Sequence, residues 1–215
     1  MNVIRRARSL AGLAALACFA LLHPFGAAMA QREMAALAAA PVSLPDMVLG
    51  SAKAPVTIVE FASMTCPHCA AFEQNVFPML RSKYIDTGKV RFVFREFPLD
   101  IVAAEASMLA RCAANNDAEK FFDVVDRVFK QQDQLMAQPL QALRMIGKQS
   151  GMSEQAVDAC GTNQAELDKI AADQKIAHEV LKVDATPTLF INGEMLKGGP
   201  SFEELDKKII LLLKK

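Results

Sequence analysis

Four short segments of the chain have the apolar pattern of β-strands. They cover residues 56–61, 89–95, 188–191 and 194–197. The first is apolar at every position except Thr57 and Glu60, which is typical of a strand that other elements cover on both faces. The second alternates polar and apolar residues, as strands do. Asn192-Gly193 between the last two segments predicts a tight hairpin.

Helical periodicity, in which apolar residues recur every three or four positions, covers most of the remaining chain. The predicted helices are 67–83 with a kink near Pro78, 101–114, 118–131, 140–148, one that follows Ser153, 164–182, and one that follows Ser201. Asp117, Ser153 and Ser201 are placed to cap three of them, and Glu204 completes a capping box with Ser201. Residues 31–40 are rich in Ala and predict a further short helix. Five helices therefore separate the second strand from the closing hairpin.

Two cysteines stand where the first strand gives way to a helix, in the order Cys66-Pro67-His68-Cys69. Unpaired N–H groups and the positive end of the helix dipole favour a thiolate at Cys66. Pro67 suits the first turn because its missing N–H would have no partner within the helix. Since a thiolate is what attacks a disulfide sulfur, we expect Cys66 to be a nucleophile and Cys69 to be the resolving thiol.

Two further residues near these cysteines have side chains that can gain or lose a proton. His68 would favour the Cys66 anion if its ring were protonated or donated a hydrogen bond. Glu60 shares a strand face with Val56 and Ile58, and a carboxyl group buried there should have a raised pKa. The alternative is that Glu60 lies at the end of its strand and reaches solvent.

Three segments together resemble the thioredoxin superfamily and, within it, the DsbA-like thiol:disulfide oxidoreductases of the bacterial envelope. They are Val59-Glu60-Phe61, Cys66-Pro67-His68-Cys69 and Ala185-Thr186-Pro187-Thr188-Leu189-Phe190-Ile191-Asn192-Gly193. The resemblance begins near Pro55, reaches the C-terminus, and implies an α/β, thioredoxin-like fold with an inserted helical domain. It divides the chain into an N-terminal extension (31–54), two parts of a thioredoxin-like domain (55–99 and 183–215), and a helical insert (100–182).

The resemblance also implies roles for individual residues. Pro187 would follow a cis peptide bond and pack against the active-site disulfide. The backbone of Thr186 would then pair with an extended substrate in the manner of an added strand. Glu60 would handle a proton for Cys69. Without the resemblance, an ordinary trans proline at the start of an edge strand explains Pro187 equally well.

Residues 1–30 have the organisation of a signal peptide. Three arginines precede the apolar stretch 10–22, and Ala28-Met29-Ala30 predicts cleavage after Ala30 and a periplasmic location. The alternative is an uncleaved membrane anchor, for which the apolar stretch is short. The full chain has 24 basic and 24 acidic residues, and loss of the three arginines leaves 21 and 24, a net charge of −3. With no Trp, one Tyr and no basic run, nothing indicates nucleic-acid binding.

Cys18 would be lost with the signal peptide. The four cysteines that remain allow three pairings. The close spacing of Cys66 and Cys69 favours that pair and leaves Cys112 with Cys160. The second pair would be either a structural staple or a redox pair that tunes the first, and some DsbA-like relatives of alphaproteobacterial type resemble this chain in having an extra disulfide in the insert. A structural zinc site usually takes four ligands, and no second C-x-x-C motif exists, so we predict no metal and no other cofactor.

These observations predict a monomeric, periplasmic dithiol oxidase. Its partners would be exported proteins with reduced cysteines and a DsbB-like membrane quinone reductase that re-oxidises the Cys66–Cys69 pair. One alternative is a disulfide isomerase or reductase on the same fold. Another is a chaperone-like binding module in which the C-x-x-C bridge is only structural.

Overall fold

A computed structural model of the chain describes residues 36–38 and 42–214. The predicted signal peptide, its cleavage site and most of the predicted helix at 31–40 lie outside these residues. Within the described ranges, no helix combines the length and the apolar character that a membrane crossing requires.

One mixed sheet of five strands organises the fold, in the order β1-β3-β2-β4-β5. The central strand β2 (Val56–Ala62) pairs in parallel with β3 (Val90–Glu96) and antiparallel with β4 (Thr188–Ile191). Strands β1 (Met47–Leu49) and β5 (Glu194–Lys197) form the two edges. The four strands predicted from the sequence are therefore present, and the sheet has the thioredoxin-like arrangement. Strand β1 was not predicted, because three residues are too few to show an alternation.

The connection from β2 to β3 differs from the single kinked helix predicted for 67–83. It contains helix α1 (Pro67–Asn75), helix α2 (Phe77–Leu80) and a π-helical turn (Arg81–Ile85). Pro78 explains the break before α2, since proline has no N–H to donate and its ring clashes with the carbonyl group one turn earlier. Helix α1 keeps the predicted start, with Pro67 as its first residue.

The insert is wholly helical, as predicted. It comprises α3 (Ile101–Ala114), α4 (Ala118–Lys130), α5 (Gln132–Ala137), α6 (Pro139–Gln149), α7 (Glu154–Gly161) and α8 (Gln164–Glu179). That is one helix more than the sequence predicted, because α5 has six residues and a single buried one, Leu135, too few to establish a periodicity. Asp117 and Ser153 cap α4 and α7 as expected. The chain closes with α9 (Phe202–Leu213), which begins with the Ser201–Glu204 capping box.

Both faces of the sheet are covered by apolar side chains. The larger cluster lies on the face that carries Val56 and Ile58, and it includes Phe72 of α1. There Phe122 of α4 stacks on Phe77 and contacts Phe92 of β3, which fastens the insert to the sheet. A smaller cluster around Val59, Val93 and Phe190 packs against Ala177 and Leu181 on the other face. Glu60 belongs to the larger side by the alternation of β2, and it is buried there.

A disulfide joins Cys112 of α3 to Cys160 of α7, with 6.1 Å between the Cα atoms. The two cysteines are 48 residues apart in the sequence, so the bridge closes a long loop of the unfolded chain. It lies within the insert.

We expect the double variant Cys112→Ala/Cys160→Ala to have a free energy of unfolding that is lower by about 4 kcal/mol, because the unfolded chain regains the entropy of the open loop. Urea denaturation at neutral pH measures this. If the bridge is only a staple, the reduction potential of Cys66–Cys69 stays unchanged in the same variant. An unchanged unfolding curve together with a shifted potential would instead support the tuning role.

Candidate active site

Cys66 occupies the position before the first residue of α1. It is the N-cap, with φ −79° and ψ 120°, and Pro67 follows at the first helical position. The Cys66 carbonyl accepts the N–H of Ala70 at 3.1 Å, and its own N–H donates to the Ser63 carbonyl at 3.1 Å. The sequence therefore located the start of this helix correctly, because proline is tolerated only where no intrahelical donor is needed.

The surroundings of the Cys66 thiol favour its ionised form and lower its pKa to about 5. The largest contribution is a hydrogen bond from the Cys69 thiol, and burial opposes it. Thr186 and the backbone N–H groups of Cys69 and His68 lower the pKa further. The side chain of Cys66 is buried, so these donors replace the water that would otherwise solvate the anion.

Cys69 has the opposite character. Its side chain is fully buried, and its pKa is raised above the ordinary value, first by burial and then by its hydrogen bond to Cys66 and by the charges of Glu60 and Cys66. No disulfide joins the two cysteines in this structure. The site thus combines one acidic thiol with one that keeps its proton.

His68 contributes through its backbone. Its N–H group lowers the pKa of Cys66, whereas its side chain is exposed. Among the described residues, the ring makes no hydrogen bond or ion pair. A direct effect of the imidazole on Cys66 remains a prediction.

Thr186 and Pro187 face the cysteines from the other end of the domain, just before β4. The Thr186–Pro187 peptide bond is cis. The Cys66 thiol donates to the Thr186 carbonyl at 3.2 Å. An ionised Cys66 can only accept a hydrogen bond. The Thr186 hydroxyl has no partner in the described part of the chain and could donate to the thiolate. The sheet therefore brings together two motifs that lie 120 residues apart.

Glu60 lies in β2 and is 1% exposed, so its carboxyl group does not reach solvent. Its pKa is raised well above the ordinary value, first by burial and then by the nearby charges of Glu73 and Cys66. One of its oxygens, Oε2, has no hydrogen-bond partner among the described residues. Burial and the neighbouring charges therefore favour the protonated form of this carboxyl group.

Glu73 is a second buried carboxyl group that sequence analysis missed. It follows Cys69 by one turn of α1 and is 4% exposed. Burial and the charge of Asp126 raise its pKa to about 8, against the opposing effect of Arg81 and Lys130. Its spacing of four residues from Cys69 was the available signal, because such residues share a helix face.

Side chains outside the motif fix the segment between β2 and α1. Thr65 donates to Asp100 at 2.7 Å, and Asp100 also caps α3 by accepting the N–H of Ala103. The hydroxyl of Ser63 accepts the N–H of Leu99 at 3.2 Å. The loop before Cys66 is thus held by residues at the boundary of the insert. No group of three or more His, Cys, Asp or Glu residues in the described ranges is arranged to hold a metal ion.

Comparison with known proteins agrees with this geometry. A family model described as Thioredoxin matches residues 43–210. The crystal structure of Wolbachia pipientis alpha-DsbA1 superposes with a TM-score of 0.73 and 33% sequence identity, over 80% of this chain and 92% of that one. The chain belongs to the DsbA-like group of the thioredoxin superfamily.

Two further relatives are either longer than this chain or less similar to it. A Rickettsia typhi protein, provisionally named as a protein-disulfide oxidoreductase, is 35% identical over 150 residues, which are 69% of this chain and 55% of that protein. The matched stretch therefore spans about half the length of the Rickettsia relative. The Bacillus subtilis disulfide bond formation protein D is 25% identical over 169 residues, which are 75% of this chain and 74% of that one.

The raised pKa of Glu73 predicts how the stability of this DsbA-like protein depends on pH. Between the ordinary glutamate pKa and about 8, the folded state holds a proton that the unfolded state has lost, so this group makes the protein less stable as pH rises. We expect Glu73→Gln to match the wild type near pH 4 and to become more stable than it by about 2–4 kcal/mol near pH 8.

Urea denaturation of the reduced proteins across this pH range measures the difference. Glu203→Gln is the matched control, since Glu203 is exposed in the first turn of α9 and should give a difference that does not vary with pH. If the difference in free energy of unfolding between Glu73→Gln and the wild type also stays constant with pH, Glu73 ionises normally in the folded protein.

Proposed function

We propose that this protein is a periplasmic dithiol oxidase, which introduces disulfide bonds into exported proteins through Cys66 and Cys69. The observation that carries the proposal is the position of Cys66 at the start of α1, where the Cys69 thiol, Thr186 and the backbone N–H groups of Cys69 and His68 lower its pKa. Stabilising the thiolate stabilises the reduced pair. The disulfide form is then easily reduced and acts as an oxidant.

The first step of the proposed cycle is attack of a substrate thiolate on Cys66 Sγ in the oxidised pair. The Cys66–Cys69 bond breaks, and its electron pair leaves with Cys69, which takes up a proton. The raised pKa of Cys69 favours that protonation. Glu60, whose pKa is also raised, would be the proton donor next to Cys69, and Glu73 lies next to Glu60.

In the second step, another thiolate of the substrate attacks the substrate sulfur of the mixed disulfide. Cys66 leaves as a thiolate, for which its low pKa makes it a good leaving group. The substrate has then lost two electrons and gained a disulfide, and the enzyme pair is reduced. A DsbB-like membrane quinone reductase would take these two electrons and restore the Cys66–Cys69 disulfide.

The substrate would bind as an extended chain next to Thr186 and the cis Pro187. The Thr186 carbonyl contacts Cys66 Sγ, so a peptide paired with this backbone would carry its own cysteine close to the reacting sulfur. Such recognition depends on main-chain hydrogen bonds. It would suit unfolded exported proteins of many sequences. We propose that the protein works as a monomer, after cleavage of its signal peptide behind Ala30.

A disulfide isomerase or reductase on the same fold is the second candidate. The family resemblance favours it, because it implies that a threonine before this proline also occurs in isomerases. The two candidates differ in the redox balance of the Cys66–Cys69 pair, since a reductase must keep the disulfide form stable and an oxidase must not.

We expect the Cys66–Cys69 pair to be strongly oxidising when equilibrated with a glutathione buffer, and the thiolate absorbance of Cys66 to titrate with a midpoint near pH 5. Cys66→Ser should abolish oxidation of a reduced substrate protein. Cys69→Ser, which keeps the acidic thiol, serves as the matched variant and should accumulate mixed disulfides. A potential near that of thioredoxin, with Cys66 titrating near pH 8.5 as an ordinary thiol does, would contradict the proposal.

A further inference from the structure

Gln132 contacts the redox segment from the insert. It is the first residue of the short helix α5. Its side-chain nitrogen Nε2 donates to the Met64 carbonyl at 2.9 Å and to the Cys66 carbonyl at 3.0 Å. One amide group therefore bridges two peptide units of the segment that joins β2 to α1.

These two carbonyl groups lie on either side of Thr65. Met64 is fully buried, so its carbonyl needs a partner within the protein, and Gln132 supplies it. The Cys66 carbonyl already accepts the N–H of Ala70 as the first hydrogen bond of α1. Gln132 therefore ties the start of the helix to the loop that precedes it.

Fixing both carbonyl groups restricts the backbone at Cys66 and therefore the direction of its Cα–Cβ bond. Each peptide unit is planar, so a carbonyl held in place leaves only φ and ψ of the intervening residues to vary. Cys66 has φ −79° and ψ 120°, and with this backbone its Sγ lies 3.2 Å from the Thr186 carbonyl oxygen. The backbone donors of His68 and Cys69 act on the same sulfur.

We propose that Gln132 is a positioning residue of the redox site, whose amide group holds the Met64 and Cys66 carbonyls so that Cys66 Sγ stays within reach of its hydrogen-bond donors. This inference rests on the proposed function, because it names the residue through which the insert sets the acidity of the nucleophile. Gln132 does not touch the reacting sulfur in the contacts described.

Gln132 is also a cleaner target than the other residue that fixes this segment. Asp100 accepts from Thr65 but also caps α3, so its substitution would weaken a helix as well as the loop. The Gln132 amide has no capping role, because α5 begins without a side-chain cap. A substitution of Gln132 should therefore change the properties of Cys66 with less disturbance of the insert.

The test compares Gln132→Met, which keeps the length of the side chain and removes its donors, with Gln132→Glu, which keeps the shape and turns the donor into an acceptor. We expect Gln132→Met to raise the pKa of Cys66, with the acid dissociation constant falling about 3- to 10-fold, the size of one lost hydrogen bond. The equilibrium constant for reduction of the disulfide by glutathione should fall by a similar factor, and Gln132→Glu should produce the larger change in both.

Gln134→Met is the matched control, since Gln134 lies on the same helix with an exposed side chain. It should leave both quantities within about twofold of the wild type, a change of less than half a kcal/mol at 1.4 kcal/mol per tenfold. If Gln132→Met and Gln132→Glu also stay within twofold, the inference is wrong, even where their melting temperatures fall. A control that shifts as far as Gln132→Met would overturn it too.

The same measurements separate this inference from the proposed function. The wild-type potential and the wild-type pKa of Cys66 decide whether the protein is an oxidase. Whether Gln132 positions Cys66 is decided by how far the acid dissociation constant of Cys66 and the equilibrium constant for disulfide reduction differ between variant and wild type. This comparison holds whatever the wild-type values are.

Discussion

The burial of ionisable groups between α1 and β2 is the constraint on which the chemistry of the site depends. Four groups that can carry a negative charge meet there: Cys66, Cys69, Glu60 and Glu73. Each charge that forms raises the pKa of its neighbours, and burial removes the water that would screen them. Only Cys66 has enough hydrogen-bond donors around its acidic atom to offset burial. Burial raises the pKa values of the other three, and this difference between the two cysteines favours Cys66 as the reacting thiolate of the proposed cycle.

The insert is part of this arrangement, because it supplies contacts that hold the loop before Cys66. Asp100 at the start of α3 accepts from Thr65, and Gln132 at the start of α5 donates to Met64 and Cys66. The stacked rings of Phe77 and Phe122 fasten the insert to the sheet. The segment that leads into the Cys66–Cys69 motif is thus held in place by helices that begin more than thirty residues later in the chain.

Local sequence predicted the parts of the site that local physics determines. Cys66 and Pro67 mark a helix start because of what proline lacks, and Asn192-Gly193 marks a hairpin because of the backbone that its turn requires. Gln132 gave no such signal. It lies in a helix of six residues and makes its contacts 66 and 68 residues away, so its importance comes from tertiary structure alone. Glu73 differs again, because its spacing from Cys69 was visible but the depth of its burial was not.

The two carboxyl groups give the proposed cycle a way to move protons without water. When substrate attack releases Cys69 as a thiolate, a neighbouring carboxylic acid can donate the proton that the raised pKa of Cys69 requires. Re-oxidation needs the reverse, since Cys69 must then lose its proton to attack the Cys66 side of a mixed disulfide, and the carboxylate left by the first step accepts it. Glu60 is close enough to both cysteines for their charges to interact, and Glu73 lies between Glu60 and the charged groups of Asp126, Arg81 and Lys130. Two carboxyl groups with raised pKa values therefore suit a site that must take up and release one proton in every turnover.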